Sequence, residues 1–186
     1  MYSREMTRGR MMARLALLVG ICLSTAGAQV SCNSNGMGSF NSGNGSDADF
    51  ESTLTLRNSS GVETTDFVFG EPIRFDYEIV NRSNRQLRLQ FSDAQTHDFL
   101  VVNNGTTQIR WKWSDGQSFA QAAAELTFEP YASKSFSVIW AGTLADGTQL
   151  PVGSYQARAS LIFDGFRANP LAASRLGSDL EAFTVR

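Results

Sequence analysis

The chain contains one histidine, His97, and the residues near it are of the types that carry out nucleophilic catalysis. Ser92, Asp93 and Asp98 would supply a hydroxyl nucleophile and a carboxylate to orient an imidazole base. However, no Gly-x-Ser-x-Gly elbow presents a serine anywhere in the chain. His97 also follows a predicted strand end in a polar loop, where a lone histidine is usually a solvated side chain. We therefore predict a protein that is not an enzyme and has no catalytic residues.

Metal binding is limited because the chain has few histidine and cysteine side chains to act as ligands. One histidine and one cysteine in the exported part, Cys32, cannot supply the three or four ligands that zinc requires. Asp146-Gly147 and Asp164-Gly165 place oxygen donors in turns, but no Asp-x-Asp-x-Asp loop concentrates them for calcium. An Asp-Gly pair is already explained by the positive φ that a tight hairpin needs. The sequence predicts no metal site and no cofactor.

The first 28 residues have the pattern of an export signal. Four arginines precede an apolar run over residues 15–28, which is shorter than the roughly 20 residues that a membrane-spanning helix needs. Two cleavage sites compete here. Ala26-Gly27-Ala28 offers the small-x-small pattern of signal peptidase, whereas Val30-Ser31-Cys32 offers a lipidation site at Cys32. We expect an exported, periplasmic or membrane-tethered protein whose signal ends at residue 28 or residue 31.

Residues 29–49 are predicted to form a flexible tether that leads to a folded domain over residues 50–186. The tether is rich in glycine, serine and asparagine and can bury little apolar surface. Acylation of Cys32 would account for an exported thiol without a disulfide partner, since Cys22 lies inside the signal. Gln29 argues against acylation, because a lipidation motif prefers an aliphatic residue there. Lipid anchoring at Cys32 and free secretion both stay open, and Cys32 is the one membrane contact expected.

The charge of the exported part argues against nucleic-acid binding. The 16 basic and 18 acidic residues of the whole chain become 12 and 17 once residues 1–28 are removed, for a net charge of about −5. Binding to phosphates needs clustered lysine and arginine side chains, and here they are scattered singly. We expect a protein partner and no nucleic acid.

From residue 50 onward, apolar residues alternate with polar ones, which is the pattern of half-buried strands. Six runs are clear, and they are centred on residues 73–79, 87–91, 109–113, 126–128, 136–140 and 155–163. Four weaker runs lie at residues 50–56, 67–69, 99–102 and 183–185, and a turn or two of helix is expected over residues 119–125. Gly-containing turns, among them Asn103-Asn104-Gly105 and Ser114-Asp115-Gly116, separate the runs. The pattern predicts an all-β, immunoglobulin-like β-sandwich of two antiparallel sheets with about 8–10 strands.

Five short motifs occur in an order and spacing that resemble the intracellular proteinase inhibitor (BsuPI) family. They are Asn81-Arg82-Ser83, residues 91–95 (FSDAQ) with Asp98-Phe99 close behind, residues 111–114 (WKWS), residues 119–122 (FAQA) and residues 151–155 (PVGSY). The resemblance covers roughly residues 69–163, and its weight comes from the five signals occurring in sequence. It implies an immunoglobulin-like domain that inhibits proteases.

Two features depart from what the resemblance implies. Residues 129–133 (EPYAS) stand where such domains place a Pro-Gly-acidic turn, so this loop is expected to be reshaped. The family takes its name from an inhibitor of a cytoplasmic serine protease, and an exported chain cannot share that target. The fold is therefore expected to carry over more safely than the target.

A loop between two strands is the candidate contact with a protease. It comprises Ser114, Asp115, Gly116, Gln117, Ser118 and Phe119. A rigid loop on a packed scaffold can enter a substrate cleft without a large ordering cost. The aromatic residues that flank it, Trp111, Trp113 and Phe119, have a spacing that favours burial between the sheets. The hypothesis is non-enzymatic inhibition of a periplasmic or secreted serine protease by loop insertion. The alternative is an envelope structural or adhesive module that pairs with a partner by strand addition.

Overall fold

The structure, a computed structural model, describes residues 46–163 and 167–186. The predicted export signal, most of the predicted tether, Cys32 and the Asp164-Gly165 turn lie outside these residues. The described chain forms ten strands, which we number in chain order: β1 (Phe50–Arg57), β2 (Asp66–Phe67), β3 (Ile73–Asn81), β4 (Leu87–Phe91), β5 (His97–Asn103), β6 (Ile109–Lys112), β7 (Ala124–Phe128), β8 (Ser133–Trp140), β9 (Gly153–Leu161) and β10 (Glu181–Val185). In these residues no helix is long and apolar enough to cross a membrane.

The strands form two facing sheets and a short ribbon. One sheet has the order β1-β3-β8, and the other has the order β2-β10-β9-β5-β6. The ribbon pairs β4 with β7, which directly continues the β3–β8 pair because β4 follows β3 and β8 follows β7 in the chain. All pairs are antiparallel except β2 with β10. The predicted all-β, immunoglobulin-like sandwich of about 8–10 strands is confirmed, except that the β2–β10 pair is parallel where two purely antiparallel sheets were predicted.

Strand β3 shows why period-two alternation predicts the core. Ile73, Phe75, Tyr77 and Ile79 are all buried, whereas the residues between them are not. Successive side chains of a strand point to opposite faces, so one face packs against the other sheet and one faces solvent. Burial of each such side chain stabilises the fold by about 1.5–3 kcal/mol. The same alternation places the buried side chains of β4.

Between the two sheets the core is strongly aromatic. The ring of Phe75 packs edge-on against Phe99 with their centroids 6.0 Å apart, and Tyr77 meets the same Phe99 ring at 6.4 Å. The hydroxyl of Tyr77 donates a hydrogen bond of 2.7 Å to the carbonyl of Leu176. A buried tyrosine needs such a partner for its polar end. The C-terminal segment is thereby fixed to the core.

The expected helical turn over residues 119–125 does not form. The chain is irregular through residue 123, and Ala124 begins β7 by pairing with Phe91 of β4. Pairing with β4 satisfies the backbone groups that a helix would have satisfied internally, and tertiary pairing overrides a weak local preference for helix. The predicted short helix is wrong for this physical reason.

The turn that departs from the family pattern has an unusual backbone. The N–H of Ala132 donates to the carbonyl of Glu129 at 3.1 Å, with Pro130 and Tyr131 as the two central residues. Tyr131 has φ of 58°, and its side chain is 67% exposed. This third position of a type II turn favours glycine, because a β-carbon costs about 1–2 kcal/mol in the left-handed region.

Replacing Tyr131 by glycine is expected to stabilise the domain. The Tyr131→Gly substitution removes the left-handed strain. Glycine also has greater conformational freedom in the unfolded chain, which opposes part of this stabilisation, so the net gain is about 0.5–1 kcal/mol. Urea unfolding measures the change in the free energy of unfolding. Tyr131→Ala is the control, since it shortens the side chain and keeps the strain. Equal stability of the glycine and alanine variants would contradict the explanation.

Candidate protein-binding site at the open side of the sandwich

The predicted contact loop projects from the end of β6. Ser114 is half-buried at its base, and Asp115, Gly116, Gln117 and Ser118 are exposed. The N–H of Asp115 donates to the Lys112 carbonyl at 3.2 Å, and that of Gln117 donates to Ser114 at 3.0 Å. Gly116 has φ of 79°, a left-handed conformation that glycine adopts without cost. The loop therefore begins with a tight, hydrogen-bonded reversal.

The buried carboxylate of Asp98 holds the base of this loop. Its Oδ1 atom accepts hydrogen bonds from the backbone N–H of Ser114 at 3.0 Å and of Phe99 at 2.9 Å. Its Oδ2 atom accepts from the hydroxyl of Ser114 at 2.6 Å and from the Gln95 amide at 3.2 Å. The ammonium of Lys112 lies 3.6 Å from Oδ2. The Asp98 side chain on β5 thus connects the segment that precedes β5, the end of β6 and the base of the loop.

The electrostatics of Asp98 combine two opposing effects. Its side chain is fully buried, and this burial raises the pKa of the carboxyl. The hydrogen bonds from Ser114 and the nearby charge of Lys112 act in the opposite direction, because both stabilise the carboxylate. A buried carboxyl with this many donors is costly to remove, since each donor would lose its partner.

Aromatic side chains support the other end of the loop. The ring of Phe119 packs edge-on against Trp113 at 5.8 Å. Trp113 stacks on His97 with centroids 4.9 Å apart, and His97 contacts Phe136 of β8 at 4.2 Å. We call these four residues together with Trp111 the aromatic seam. The expectation that Trp111, Trp113 and Phe119 pack between the sheets is met in part, because all three are half-buried but only the two tryptophans pack against the core.

The seam lies where the two sheets end. In the described part of the chain, β6 is the last strand of one sheet and β8 the last strand of the other. Trp111 of β6 stacks on Trp140 of β8 with ring centroids 4.7 Å apart, so the two edges face each other. Beside Gly116 a shallow cleft of about 350 Å³ separates the loop from Leu144 in the segment that follows β8. The open side of the sandwich therefore combines a fixed loop, half-exposed aromatic rings and two strand edges.

His97 is not a solvated loop residue, and this expectation is corrected. The residue begins β5, and its ring lies between Trp113 and Phe136. Its Nδ1 atom lies 3.0 Å from the hydroxyl of Thr96. Neighbouring residues of a strand point to opposite faces, so Asp98 faces away from the His97 ring. A local sequence pattern could not show this, because the stacking partners come from distant strands.

The two carboxylates that could have oriented His97 for catalysis, Asp93 and Asp98, bind other groups. Asp93 accepts a hydrogen bond from the backbone N–H of Gln95 at 3.0 Å and forms an ion pair with Arg167 at 3.0 Å. Asp98 accepts its hydrogen bonds from the base of the contact loop. Over residues 46–163 and 167–186, no three His, Cys, Asp or Glu side chains are grouped closely enough to hold a metal ion.

Acid is expected to destabilise the domain through His97. Burial lowers the pKa of His97 from 6.5 to about 4. Between these pH values the unfolded chain binds a proton that the folded chain does not, so stability present above pH 6.5 is lost as the pH falls toward 4. The loss by pH 4 is about 2–3 kcal/mol, because each pKa unit corresponds to about 1.4 kcal/mol and the folded chain itself begins to bind the proton near pH 4.

Urea unfolding at pH 7 and pH 4 measures this loss. Other groups titrate over the same range, so the matched control is His97→Phe, which keeps an aromatic ring in the seam and cannot be protonated. The wild type should lose about 2–3 kcal/mol more than the variant does. The same pH dependence in both proteins would show that His97 is not responsible.

The remaining sequence motifs hold the scaffold together. The amide nitrogen of Asn81 donates to the carbonyls of Arg85 at 2.7 Å and Glu129 at 2.9 Å, and its oxygen accepts from the backbone and hydroxyl of Ser83. The hydroxyl of Tyr155 donates to the Pro151 carbonyl at 2.8 Å. Each motif places a polar side chain where it satisfies backbone groups at a bend of the chain. Their order in the sequence therefore reflects the fold.

Comparison with known families agrees with these motifs. The family described as "BsuPI: Intracellular proteinase inhibitor" matches residues 49–164, which is more than half of the chain. The chain belongs to the BsuPI family. Membership assigns this domain to a family of proteinase inhibitors and agrees with the resemblance seen in the sequence motifs. No curated protein matches the sequence.

Three solved structures are similar to this BsuPI domain at low sequence identity and low TM-score. The C-terminal domain of wzt is 12% identical over 73% of each chain, with a TM-score of 0.44. A CARDB domain from Pyrococcus furiosus is 12% identical over 73% of this chain and 95% of that domain, with a TM-score of 0.36. A β-glucosidase from Listeria innocua in complex with glucose is 12% identical over 72% of this chain and 16% of the enzyme, with a TM-score of 0.37.

Proposed function

We propose that this BsuPI domain is exported and restrains a periplasmic or secreted serine protease by inserting the Ser114–Phe119 loop into its substrate cleft. The observation that carries the proposal is the attachment of the loop at both ends. Asp98 binds Ser114 at one end, Phe119 packs on Trp113 at the other, and the residues between them are exposed. A loop held in one conformation loses little entropy on binding.

The surroundings of the loop favour a protein partner. Half-exposed tryptophan and phenylalanine side chains lie directly behind it, in the aromatic seam. Such side chains provide much of the binding energy at protein interfaces, because they bury a large apolar area at a low entropic cost. The protein needs no chemistry of its own for this activity, since occupying the cleft is enough to exclude substrate.

Titration against serine proteases tests the proposal. The purified protein is expected to inhibit at least one subtilisin-like or trypsin-like protease stoichiometrically. Gln117→Trp should weaken that inhibition at least 100-fold, because a bulky ring on the exposed part of the loop obstructs entry into a narrow cleft. The matched control is Asn104→Trp in the exposed turn between β5 and β6, at the opposite end of β6 from the loop. Protease rates that stay unchanged at every ratio would refute the proposal.

Strand addition is the second candidate function, and the free edge of β8 favours it. This edge runs over eight residues and pairs only with β3 among the described strands. An extended segment of an envelope partner could hydrogen-bond to such an edge. A proline at Ser135 or Ser137 would remove a donor from β8, so partner binding that is lost with either substitution and unaffected by Gln117→Trp would favour this function.

The proposed location has its own test. Labelling with a radioactive fatty acid should mark the membrane-bound protein if Cys32 carries a lipid, and the Cys32→Ser variant should then lose the label. Equal labelling of both proteins would remove Cys32 as the anchor, and an unlabelled, soluble wild type would favour free secretion.

A further inference from the structure

The chain between the Gly116 reversal and β7 is an exposed, irregular segment. Over residues 117–123 it forms neither helix nor strand, and every residue except Phe119 is exposed. Only two of its backbone groups take part in the main-chain hydrogen bonds described, the N–H of Gln117 and the carbonyl of Ala120. The Phe119 carbonyl also accepts a long hydrogen bond of 3.4 Å from the Gln121 side-chain amide, so the remaining backbone groups of this exposed segment face a partner without competing main-chain bonds.

The segment is nevertheless fixed from the inside. The Phe119 ring packs against Trp113 at 5.8 Å, and the Ala120 carbonyl accepts a hydrogen bond of 3.0 Å from the N–H of Ala94. These two contacts are on consecutive residues near the middle of the segment. They hold its course over the domain while its outer side stays open. A segment of this kind is presented to a partner with part of its ordering cost already met.

The exposed side chains of the segment are small or uncharged. No charged residue occurs between Asp115 and Glu125, and the one aromatic side chain, Phe119, packs inward against Trp113 as part of the aromatic seam. The side chains that face outward are Gln117, Ser118, Ala120, Gln121, Ala122 and Ala123. A protease pocket that requires a positive charge or a large ring would find no suitable side chain here.

Proteases bind the residues at their cleft as an extended strand, through main-chain hydrogen bonds, and read one side chain in a primary specificity pocket. We propose that residues 117–123 form the segment that enters the cleft, and that the partner is a serine protease with a small, uncharged primary pocket. This inference rests on the proposed inhibitory function. It extends the contact four residues beyond Phe119, where the predicted loop ends.

A panel of three proteases tests the specificity. The purified full-length protein is titrated against an elastase-type protease with a small pocket, a trypsin-type protease with an acidic pocket and a chymotrypsin-type protease with a large apolar pocket. Inhibition of the elastase-type enzyme should be at least 100-fold tighter than that of the other two. Tightest inhibition of either other enzyme would overturn the inference and leave the proposed function standing.

Arginine substitutions then test the segment itself. Ser118→Arg, Gln121→Arg and Ala122→Arg are made singly, and Thr106→Arg in the turn between β5 and β6 is the exposed control. One of the three should inhibit the trypsin-type enzyme at least 100-fold more tightly and lose inhibition of the elastase-type enzyme, because its guanidinium enters the acidic pocket. Near-ultraviolet circular dichroism checks that each variant is folded.

The outcomes separate the two proposals. If the wild type inhibits no protease, both fail. If it inhibits and none of the three arginine variants differs from Thr106→Arg, the protease contacts another surface and only this inference fails. Cleavage within residues 117–123 without inhibition would make the segment a substrate and would also overturn the inference.

Discussion

Asp98→Ala is expected to lower the free energy of unfolding by about 3–5 kcal/mol and to weaken protease inhibition strongly. The substitution leaves the buried donors of Gln95, Phe99 and Ser114 without their acceptor. It also leaves Lys112 without its counter-charge. Loss of one partner of a buried, hydrogen-bonded charge costs about 3–5 kcal/mol. The functional loss follows because Ser114 is then no longer fixed at the base of the contact loop.

Two milder substitutions grade this effect. Asp98→Asn keeps one acceptor oxygen and loses the charge, so it should cost less than alanine. Ser114→Ala removes one hydroxyl donor and should cost about 1 kcal/mol. Urea unfolding gives the stability, and protease titration below the unfolding transition gives the inhibition. Full inhibition by folded Asp98→Ala would show that this carboxylate does not organise the loop.

Asn81→Ala is expected to lower the free energy of unfolding by about 3 kcal/mol and to leave inhibition intact wherever the variant is folded. The Asn81 side chain is fully buried and bridges the bend between β3 and β4 and the bend between β7 and β8. Alanine leaves the part-buried carbonyls of Arg85 and Glu129 and the Ser83 donors without this partner. Each group left unsatisfied costs about 1–3 kcal/mol unless water reaches it.

Asn81 also serves as the control for Asp98. The two substitutions should have stability effects of similar size, but Asn81 makes no hydrogen bond with the contact loop among those described. Urea unfolding and protease titration at the same temperature compare them directly. Loss of inhibition in folded Asn81→Ala would mean that inhibition depends on overall stability, which would remove the special role assigned to Asp98.

The residues of the sequence motifs have two different structural roles. Asn81, Tyr155 and their carbonyl partners stabilise bends of the scaffold, and they lie away from the exposed loop. Asp98 and Trp113 also belong to the motifs, yet they attach the loop to that scaffold. Stability of the bends and placement of the loop therefore depend on different side chains of this domain.

The sequence alone determined the fold class and the strands. Alternation over Ile73 to Ile79 predicted a strand with one buried face, and the structure buries those apolar residues. The glycine-containing turns could also be predicted from the sequence, since Gly105 and Gly116 both adopt the positive φ that their motifs require. These features depend on the backbone and on near neighbours, so local sequence is sufficient to predict them.

Strand β5 marks the limit of such prediction. Five consecutive residues, Asp98 to Val102, are buried, so the strand shows no alternation and gave only a weak signal. It lies between β9 and β6 in the larger sheet, and both of its faces are covered. The pairing of β2 with β10 in parallel could not be foreseen either, because the two strands are far apart in the sequence.

The candidate site shows the same division. The sequence located the Ser114–Phe119 loop from its turn residues and flanking tryptophans, whereas only the tertiary structure joined Ser114 to Asp98 and placed His97 between Trp113 and Phe136. Side-chain periodicity tells which face of a strand is buried, because it is a property of the backbone. It does not tell which distant side chain will meet that face, since contacts between sheets depend on how the whole chain packs.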